Sequence, residues 1–314
     1  MSTPRTLGPY RLLRRLGHGG MAEVFEGRAF GASGFEKRVA IKVLLPEHRG
    51  DPELEKLLLE EAKLGARLEH RNVVQVHTLG VDEGVHYVVM DFVDGLDLEH
   101  ALERDELPLE LALLVLEEVA SALAYAHALA DERGPLGLVH RDVSPSNVLL
   151  SVAGEVKLAD FGIAKKTKLA ETTRASIRRG KYAYMSPEQV AGRALGPASD
   201  QFGLGVAMVE LLTGARPFDG ESPVETMDRI REAATPVFLD WPPDLEGIAR
   251  RCLARAPEDR FATTAALREA LAEARRERFA HDGHLARWVR ELLQRDPSEK
   301  REHVTRPTLA TRTE

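Results

Sequence analysis

The chain has 314 residues, of which 43% are hydrophobic and 30% charged, and its formal net charge is −7 at pH 7. These values are ordinary for a soluble globular protein of about two domains or lobes, and the acidic balance gives no reason to expect a nucleic acid as partner. The single cysteine, Cys252, excludes an internal disulfide framework, fits a reducing compartment, and is expected to be a buried small apolar side chain.

Neither a secretion signal nor a membrane span is expected. The opening residues MSTPRTLGPY lack an apolar core, and the richest apolar stretch, LALLVLEEVASALAYAHALA, is interrupted by Glu117 and Glu118. The histidines form no HExxH or Cys/His zinc pattern. The sequence therefore predicts a cytoplasmic protein without a membrane segment.

The N-terminal part is predicted to be mostly β-strand. YRLLRRL, AEVFEGRAF and KRVAIKVLL are short segments separated by glycine-rich turns, and VVQVHTLG and GVHYVVMDF flank the turn VDEG. Between these two groups, DPELEKLLLEEAKLGARLEH changes to a helical period, with Asp51 and Pro52 as start signals.

After Gly95 the pattern becomes helical, with one hairpin in NVLLSVAGEVKLAD. The predicted helices cover residues 97–105, 109–131, 199–213, 223–233, 244–254 and 263–277. This layout predicts a short extension at 1–9, a small strand-rich lobe at about 10–92 and a larger helical lobe at about 95–275, joined near DFVDG, with a ligand cleft between the lobes. In the charged extension 276–314, HLARWVRELLQR is a candidate for one docked helix, and REHVTRPTLATRTE is expected to be disordered.

Two features of the strand-rich part indicate a bound anion. In LGHGGMAEVFEG, glycines allow the backbone to approach a charged ligand, although similar turns occur in ordinary hairpins. Lys42 lies among small and branched strand residues, where burying an ammonium is costly without an anion, unless the strand is at an edge. Glu61 falls on the apolar stripe of the following helix. An ion pair between Lys42 and Glu61 would satisfy both charges and aim the lysine at phosphate oxygens.

Taken together, the motifs resemble those of the bacterial, eukaryotic-like Ser/Thr protein kinases over residues 10–275. They occur in the family's order: the glycine-rich loop, VAIK, the helix glutamate, HRDVSPSN, DFG, SPE and SDQFGLG. The resemblance implies an α+β, bilobal protein kinase fold, with a small β-rich N-lobe that has one main helix and a larger, mostly helical C-lobe. It also implies ATP and Mg²⁺, or Mn²⁺, as cofactors, and transfer of the γ-phosphoryl group to Ser/Thr hydroxyls of protein substrates.

The family's catalytic roles carry over to matching positions. Asp142 would orient the substrate hydroxyl and accept its proton, and Asn147 and Asp160 would hold the magnesium ions that bridge the ATP phosphates. Lys42 and Glu61 complete this part of the site.

The resemblance also implies an ATP-binding set that begins in the glycine-rich loop. Its members are Leu16, Gly17, His18, Gly19, Gly20, Met21, Val24, Ala40, Lys42, Met90, Asp91, Val93 and Leu149. Met90 is expected at the back of the adenine pocket, and the backbone between Asp91 and Val93 is expected to bond the base. Val24, Ala40 and Leu149 are expected to line its apolar faces.

Other matching residues are expected to be structural. His140 and Phe161 resemble core residues behind the site. Glu188 and Arg260 resemble the family's buried ion pair, and Asp200 resembles the helix aspartate that braces the catalytic-loop backbone.

The sequence departs from the family pattern at two positions that concern catalysis. Ser144 stands where the catalytic loop usually has a lysine, and Lys181 stands where a threonine is usual. Our hypothesis is that Lys181 reaches into the space left by Ser144 and restores an ammonium near Asp142. The alternative is that Lys181 is a surface lysine and activity is weak. A third departure, Ala22 for the last glycine of the loop, is of little concern.

Regulation is expected through the activation segment. Arg141 precedes the catalytic aspartate, as in kinases that are ordered by phosphorylation, and a phosphate on Thr173, or on Thr172 as second choice, could pair with it. The alternative is that these threonines are only solvated loop residues. Self-association for autophosphorylation is a further expectation. The competing functions are a nucleotide-binding pseudokinase or scaffold, favoured by Ser144, and small-molecule phosphotransfer, disfavoured by the long segment that ends in SPEQ.

Overall fold

A computed structural model of the chain describes residues 6–161, 181–234, 236–278, 281–295 and 308–310; for Lys181, Val237, Leu239 and 308–310 it describes the backbone. The described residues fall into two compact units. The first takes in residues 6–93 and Phe161, and the second takes in residues 94–160 and those from Lys181 onward.

The first unit is built from antiparallel strands and a helix. Its elements are β1 (Thr6–Leu7), β2 (Tyr10–His18), β3 (Ala22–Phe30), β4 (Glu36–Leu44), α1 (Pro52–Gly65), β5 (Val76–Asp82) and β6 (Val85–Asp91). Within the described residues the strands form a six-stranded sheet in the order β1-β2-β3-β4-β6-β5. Its core packs Val39, Ile41 and Val43 of β4 against Tyr87 and Val89 of β6, because alternate side chains of neighbouring strands share one face.

Helix α1 begins where the sequence signals predict. The Asp51 carboxylate accepts hydrogen bonds from the backbone N–H groups of Glu53 (2.9 Å) and Leu54 (3.3 Å), and Pro52 occupies the first helical position. The cap satisfies donors that have no partner within the helix. Helix α1, which carries Glu61, lies against β4, β5 and β6 of the sheet.

The second unit is mostly helical. Its helices are α2 (Leu98–Arg104), α3 (Leu109–Ala128), α4 (Pro187–Val190), α5 (Pro197–Thr213), α6 (Pro223–Glu232), α7 (Pro243–Cys252), α8 (Thr264–Arg276) and α9 (Asp282–Gln294). Its short strands are β7 (Gly95–Asp97), β8 (Ala130–Asp131), β9 (Gly134–Pro135), β10 (Val148–Ser151), β11 (Val156–Leu158), β12 (Val237–Leu239) and β13 (Thr308–Ala310). Helix α3 packs against α5 and α8, and α5 is buried over most of its length. Cys252 is buried at the end of α7, as predicted.

The α+β fold class predicted from the sequence is confirmed, but two boundaries differ. The helix predicted over 109–131 is too long, because α3 ends at Ala128 and the chain then forms the β8–β9 hairpin, whose Gly134 has φ 109°. The expectation of a disordered tail is wrong for Thr308–Ala310, which pair antiparallel with β12. The other residues of that tail lie outside the described part of the chain.

Helix α9 docks on the second unit through packing and polar contacts. It lies against α2, β7 and β10, with Trp288 buried. Arg290 Nε donates to the Val152 carbonyl (3.0 Å). A Cβ on Gly154, where φ is +88°, would stand 2.1 Å from the Asp282 carbonyl oxygen. The close approach therefore requires glycine at 154.

No helix in the described ranges combines the length and the apolar character that crossing a bilayer would require.

Candidate active site

The glycine-rich turn of the first unit is exposed but attached at its base. Residues 16–20 are exposed at the β2–β3 connection, where Gly19 N–H donates to the Ala22 carbonyl (2.8 Å). The Met21 carbonyl accepts from Leu45 N–H (3.0 Å). The turn thus presents backbone to solvent, as a phosphate-binding loop requires.

Lys42 and Glu61 form the predicted ion pair. Lys42 Nζ lies 2.6 Å from Glu61 Oε1, and the two side chains are 10% and 14% exposed. Strand β4 pairs with β3 on one side and β6 on the other, so the alternative of an edge lysine is wrong. A lysine on an interior strand is held by a carboxylate from helix α1.

The residues predicted to contact adenine from the first unit lie on three neighbouring strands. Ala40 on β4 pairs in register with Met90 on β6, and both are buried; Val24 on β3 is partly exposed. The Asp91 N–H bonds the Gln75 carbonyl (2.9 Å), so it cannot serve the base. The remaining backbone candidates are the Asp91 carbonyl and the groups of Val93.

In the second unit, one buried aspartate holds the start of the catalytic loop. Asp200 on α5 accepts from the backbone N–H groups of His140 (2.7 Å) and Arg141 (2.8 Å). His127 Nε2 lies 2.8 Å from the same carboxylate, and its Nδ1 lies 2.9 Å from Thr264 Oγ1. The predicted brace by Asp200 is therefore present, and His127 is an additional member that the sequence did not indicate.

His140 ties the loop to the segment that carries Asp160. Its Nε2 donates to the Ala159 carbonyl (2.9 Å), and its Nδ1 accepts from Asp142 N–H (3.3 Å). Burial lowers the pKa of this imidazole, although Asp200 acts in the opposite direction. A neutral ring with one donor and one acceptor fits both contacts.

Asn147 and Asp160, the predicted metal ligands, lie on segments that hydrogen bonds of Asn147 join. Asn147 Nδ2 donates to the Asp142 carbonyl (2.7 Å), and the Asn147 carbonyl accepts from Ala159 N–H (2.8 Å). Because the amide nitrogen is engaged, its oxygen is the atom that a metal would take. One carboxylate and one amide supply oxygen donors, which are the ligands that Mg²⁺ prefers, so these two residues fit that ion. In the described part of the chain, no group of three or more His, Cys, Asp or Glu side chains could hold a metal ion.

Leu149 lies on β10 and pairs with Asp97 of β7. It is partly exposed. Leu149, which is predicted to line the adenine, therefore lies on a strand that begins directly after the catalytic loop.

The positions that concern the missing loop lysine and regulation are described only in part. Ser144 is buried, with Oγ 3.1 Å from Ser146 Oγ. Lys181 begins a 3₁₀ turn, Lys181–Tyr184, but its side chain lies outside the described residues, as do Thr172 and Thr173. Arg141 has φ 68°, and its Nε is buried without a hydrogen-bond partner among the described residues. Burial lowers the pKa of its guanidinium.

Helix α4 is locked into the second unit. Arg260 donates to both carboxylate oxygens of Glu188 (2.7 and 3.0 Å), and Ser199 Oγ donates to the same group (2.7 Å). Burial opposes ionisation of Glu188, but the hydrogen bonds and charge of Arg260 outweigh it and lower its pKa. This predicted pair is present, with side chains 0% and 4% exposed.

Gln189, next to Glu188, was not predicted to contribute. Its Nε2 donates to the Arg141 carbonyl (2.9 Å). The one available signal was the spacing of Ser186 and Gln189, which is typical of a capping box.

These two units and their charged loops define the class of the protein, which has the protein kinase fold. A family model for the protein kinase domain matches residues 10–271, and the chain belongs to the protein kinase family.

Curated relatives agree on the family and differ in their named acceptors. The chain is 41% identical over 274 residues to the tyrosine-protein kinase MasK of Myxococcus xanthus, covering 84% of this chain and 42% of MasK. It is 37% identical over 275 residues to the serine/threonine-protein kinase PknA of Mycobacterium tuberculosis (85% and 62%). It is 34% identical over 264 residues to PrkC of Bacillus subtilis, also a serine/threonine-protein kinase (82% and 39%). The latter two support the enzyme class predicted from the sequence.

The chain spans about two-fifths to three-fifths of the length of these relatives. Among solved structures, it is similar to the crystal structure of the Mycobacterium tuberculosis PknI kinase domain, with a TM-score of 0.61 and 31% identity over 87% of this chain and 99% of that one.

Proposed function

We propose that the protein is an ATP- and Mg²⁺-dependent protein kinase that transfers the γ-phosphoryl group of ATP to Ser/Thr hydroxyls of protein substrates. The observation that carries the proposal is the catalytic loop, in which Asp200 holds the backbone before Asp142 and Asn147 holds the backbone after it. Phosphoryl transfer depends mainly on positioning and electrostatic stabilisation. A catalytic aspartate fixed on both sides suits that demand.

In the proposed mechanism, Asp142 orients the acceptor hydroxyl and takes up its proton as the new P–O bond forms. The bond between the γ-phosphorus and the β–γ bridging oxygen of ATP breaks at the same step, and ADP is the leaving group. Asn147 and Asp160 would hold magnesium, which when bound would neutralise charge on the phosphate oxygens. Lys42, held by Glu61, pairs with phosphate oxygens, and the exposed backbone of residues 16–20 covers them. Val24, Ala40, Met90 and Leu149 contact the adenine.

Incubation with labelled ATP, Mg²⁺ and a generic protein substrate tests this function. We expect label on protein with the native chain and none with Asp142→Asn. Nucleotide binding without label transfer, at equal folded protein, would instead support the pseudokinase or scaffold alternative. Label on small molecules only would support small-molecule phosphotransfer.

Tyrosine is the second candidate acceptor, because the relative that is 41% identical is named a tyrosine kinase. The serine/threonine names of the relatives at 34% and 37% identity favour the first candidate. Acid hydrolysis of labelled substrate and separation of the phosphoamino acids distinguishes the two. Predominant phosphotyrosine would overturn the proposed acceptor but leave the kinase activity standing.

We further propose that Lys181 supplies the cation that the catalytic loop lacks at Ser144. The support is that Ser144 is a short, buried residue of the loop and that Lys181 begins the turn that leads to α4. Removing one preorganised donor costs about 10²–10³-fold in rate.

A double-mutant cycle tests this pairing. We expect Lys181→Thr to lose that activity and Ser144→Lys/Lys181→Thr to recover much of it. An unchanged rate in Lys181→Thr would show that its side chain is not used.

Arg141 supports the proposal that phosphorylation regulates the chain. A buried Nε without a partner among the described residues is a group that a phosphate oxygen could satisfy. We propose Thr173 as acceptor, with Thr172 second, modified by another copy of the same chain during transient self-association in the cytoplasm.

Mass spectrometry after incubation with ATP, with Asp142→Asn as control, tests these sites. We expect phosphate on Thr173 or Thr172 in the native chain only. A fully active enzyme with an unmodified segment would contradict this mode of regulation.

A further inference from the structure

The side chain and the N–H group of Gln189 make three hydrogen bonds from a buried position on α4. Its Oε1 accepts from Ser186 N–H (2.9 Å), and its own N–H donates to Ser186 Oγ (3.3 Å). These two bonds form a capping box, which satisfies donors at the start of the helix. The third bond is different because it leaves the helix: Nε2 donates to the Arg141 carbonyl (2.9 Å).

The Arg141 carbonyl belongs to the peptide plane that leads into Asp142. The N–H on the other side of this plane bonds His140 Nδ1 at 3.3 Å, which is long for a hydrogen bond. Gln189 therefore makes the shorter of the two contacts. Arg141 also has φ 68°, a conformation that costs a non-glycine residue free energy and persists only where its surroundings hold it.

Helix α4 can hold this plane because it is itself fixed. Glu188 is bound by Arg260 and Ser199, and both partners are buried. The Gln189 amide that bonds the catalytic loop therefore belongs to a helix that is held in place. Arg141 is held at its N–H by Asp200 and at its carbonyl by Gln189.

We infer that Gln189 is a positioning residue for phosphoryl transfer. It orients the Arg141–Asp142 peptide plane, and through it the Asp142 carboxylate. It also links the segment that ends in SPEQ to the catalytic loop. The inference rests on the proposed function, because it concerns the residue that takes the substrate proton.

Gln189→Glu separates the two sets of bonds. Glutamate is an ordinary capping-box residue and can still accept from Ser186, but an ionised carboxylate cannot donate to the Arg141 carbonyl. We expect kcat to fall about 10- to 100-fold, the range for leaving a buried hydrogen-bond partner unsatisfied. The KM for ATP should stay within about twofold, because the altered contact concerns Asp142 rather than nucleotide binding.

Ser186→Ala is the matched control. It removes the hydroxyl that caps α4 and leaves Gln189 Nε2 and Arg141 in place, so kcat should change by less than about threefold. Amide hydrogen exchange supplies a readout that does not need activity. The amides of Arg141 and Asp142 should exchange faster in Gln189→Glu and keep native rates in Ser186→Ala.

The outcomes separate this inference from the proposed function. No label transfer by the native chain would contradict the function. An active native chain with unchanged kcat and unchanged exchange in Gln189→Glu would overturn the inference alone. If Gln189→Glu does not fold, Gln189→Met, which adds no charge, takes its place. Failure of both to fold would show that Gln189 supports the structure rather than the reaction.

Discussion

The two units each contain an ion pair between a cation and a helix glutamate, and the pairs differ in construction. In the second unit, Arg260 is wholly buried, bonds both oxygens of Glu188, and also donates to the Ala254 and Ala198 carbonyls. In the first unit, Lys42 holds Glu61 at 2.6 Å, and both side chains keep 10–14% exposure.

The difference indicates two tasks. A planar guanidinium whose donors are directed at fixed acceptors serves to join segments of chain, whereas an ammonium is a point charge that can also bind a ligand oxygen. We therefore expect Arg260 to contribute mainly to stability and Lys42 mainly to activity.

The largest effect is expected for Arg260→Met. It leaves the buried Glu188 carboxylate uncompensated, so the free energy of unfolding should fall by about 3–5 kcal/mol. Urea denaturation measures this. Arg260→Met/Glu188→Gln should recover part of the loss, because the second change removes the unpaired charge. A loss below about 1 kcal/mol would contradict the expectation that Arg260 contributes mainly to stability.

Lys42→Met should act on catalysis. We expect a rate loss of about 10²–10³-fold, as for removal of one preorganised charge. Its unfolding free energy should fall by less than that of Arg260→Met, because Glu61 keeps some access to water. Lys37→Met, which removes an exposed lysine of the same strand, is the control and should be nearly neutral in both assays. Equal loss of stability in the Lys42 and Arg260 variants would contradict the contrast.

His127→Phe is expected to affect both stability and activity, each to a moderate degree. The ring stays, but its hydrogen bond to Asp200 is lost, and the unfolding free energy should drop by about 1–3 kcal/mol. Because Asp200 still binds the backbone of His140 and Arg141, kcat should drop by no more than about tenfold. Thr264→Val breaks the other contact of His127 and should spare kcat. A full loss of activity in His127→Phe would mean that Asp200 depends on it.

The smallest effect is a pH dependence of stability. The folded-state pKa of Glu188 is lowered from its ordinary value of about 4.5, so the unfolded chain binds the proton more readily. The contribution of this carboxylate is therefore complete above about pH 4.5 and is lost as pH falls through the lower folded value. The difference in unfolding free energy between the native chain and Glu188→Gln, measured from pH 7 down to pH 4 and below, should shrink only in that acid range. A constant difference would show that the pKa is not lowered.

The Lys42–Glu61 ion pair could be predicted from the sequence because local patterns located both partners. Lys42 lay in an apolar strand and Glu61 on the apolar stripe of a helix, and each charge required a counterion. Asp142 and Asn147 could be placed by their spacing within one motif. These are statements about neighbouring residues, which a sequence shows directly.

Contacts between distant positions could not be predicted in this way. Gln189 and Arg141 are 48 residues apart, and His127 and Asp200 are 73 apart; no periodicity relates the partners. The end of α3 was misplaced because an alanine-rich pattern continues beyond Ala128 while the backbone turns into the β8–β9 hairpin. The strand Thr308–Ala310 is too short to show alternation, and it forms only through pairing with β12.

The family match and the packed structure end at different residues, as helix α9 shows. The family match stops at residue 271, yet Leu285, Trp288 and Val289 are buried beyond it. A chain shortened to end at residue 271 would expose the apolar surface that these side chains cover, and such surfaces favour aggregation. The smallest piece that stays soluble should therefore include Gln294.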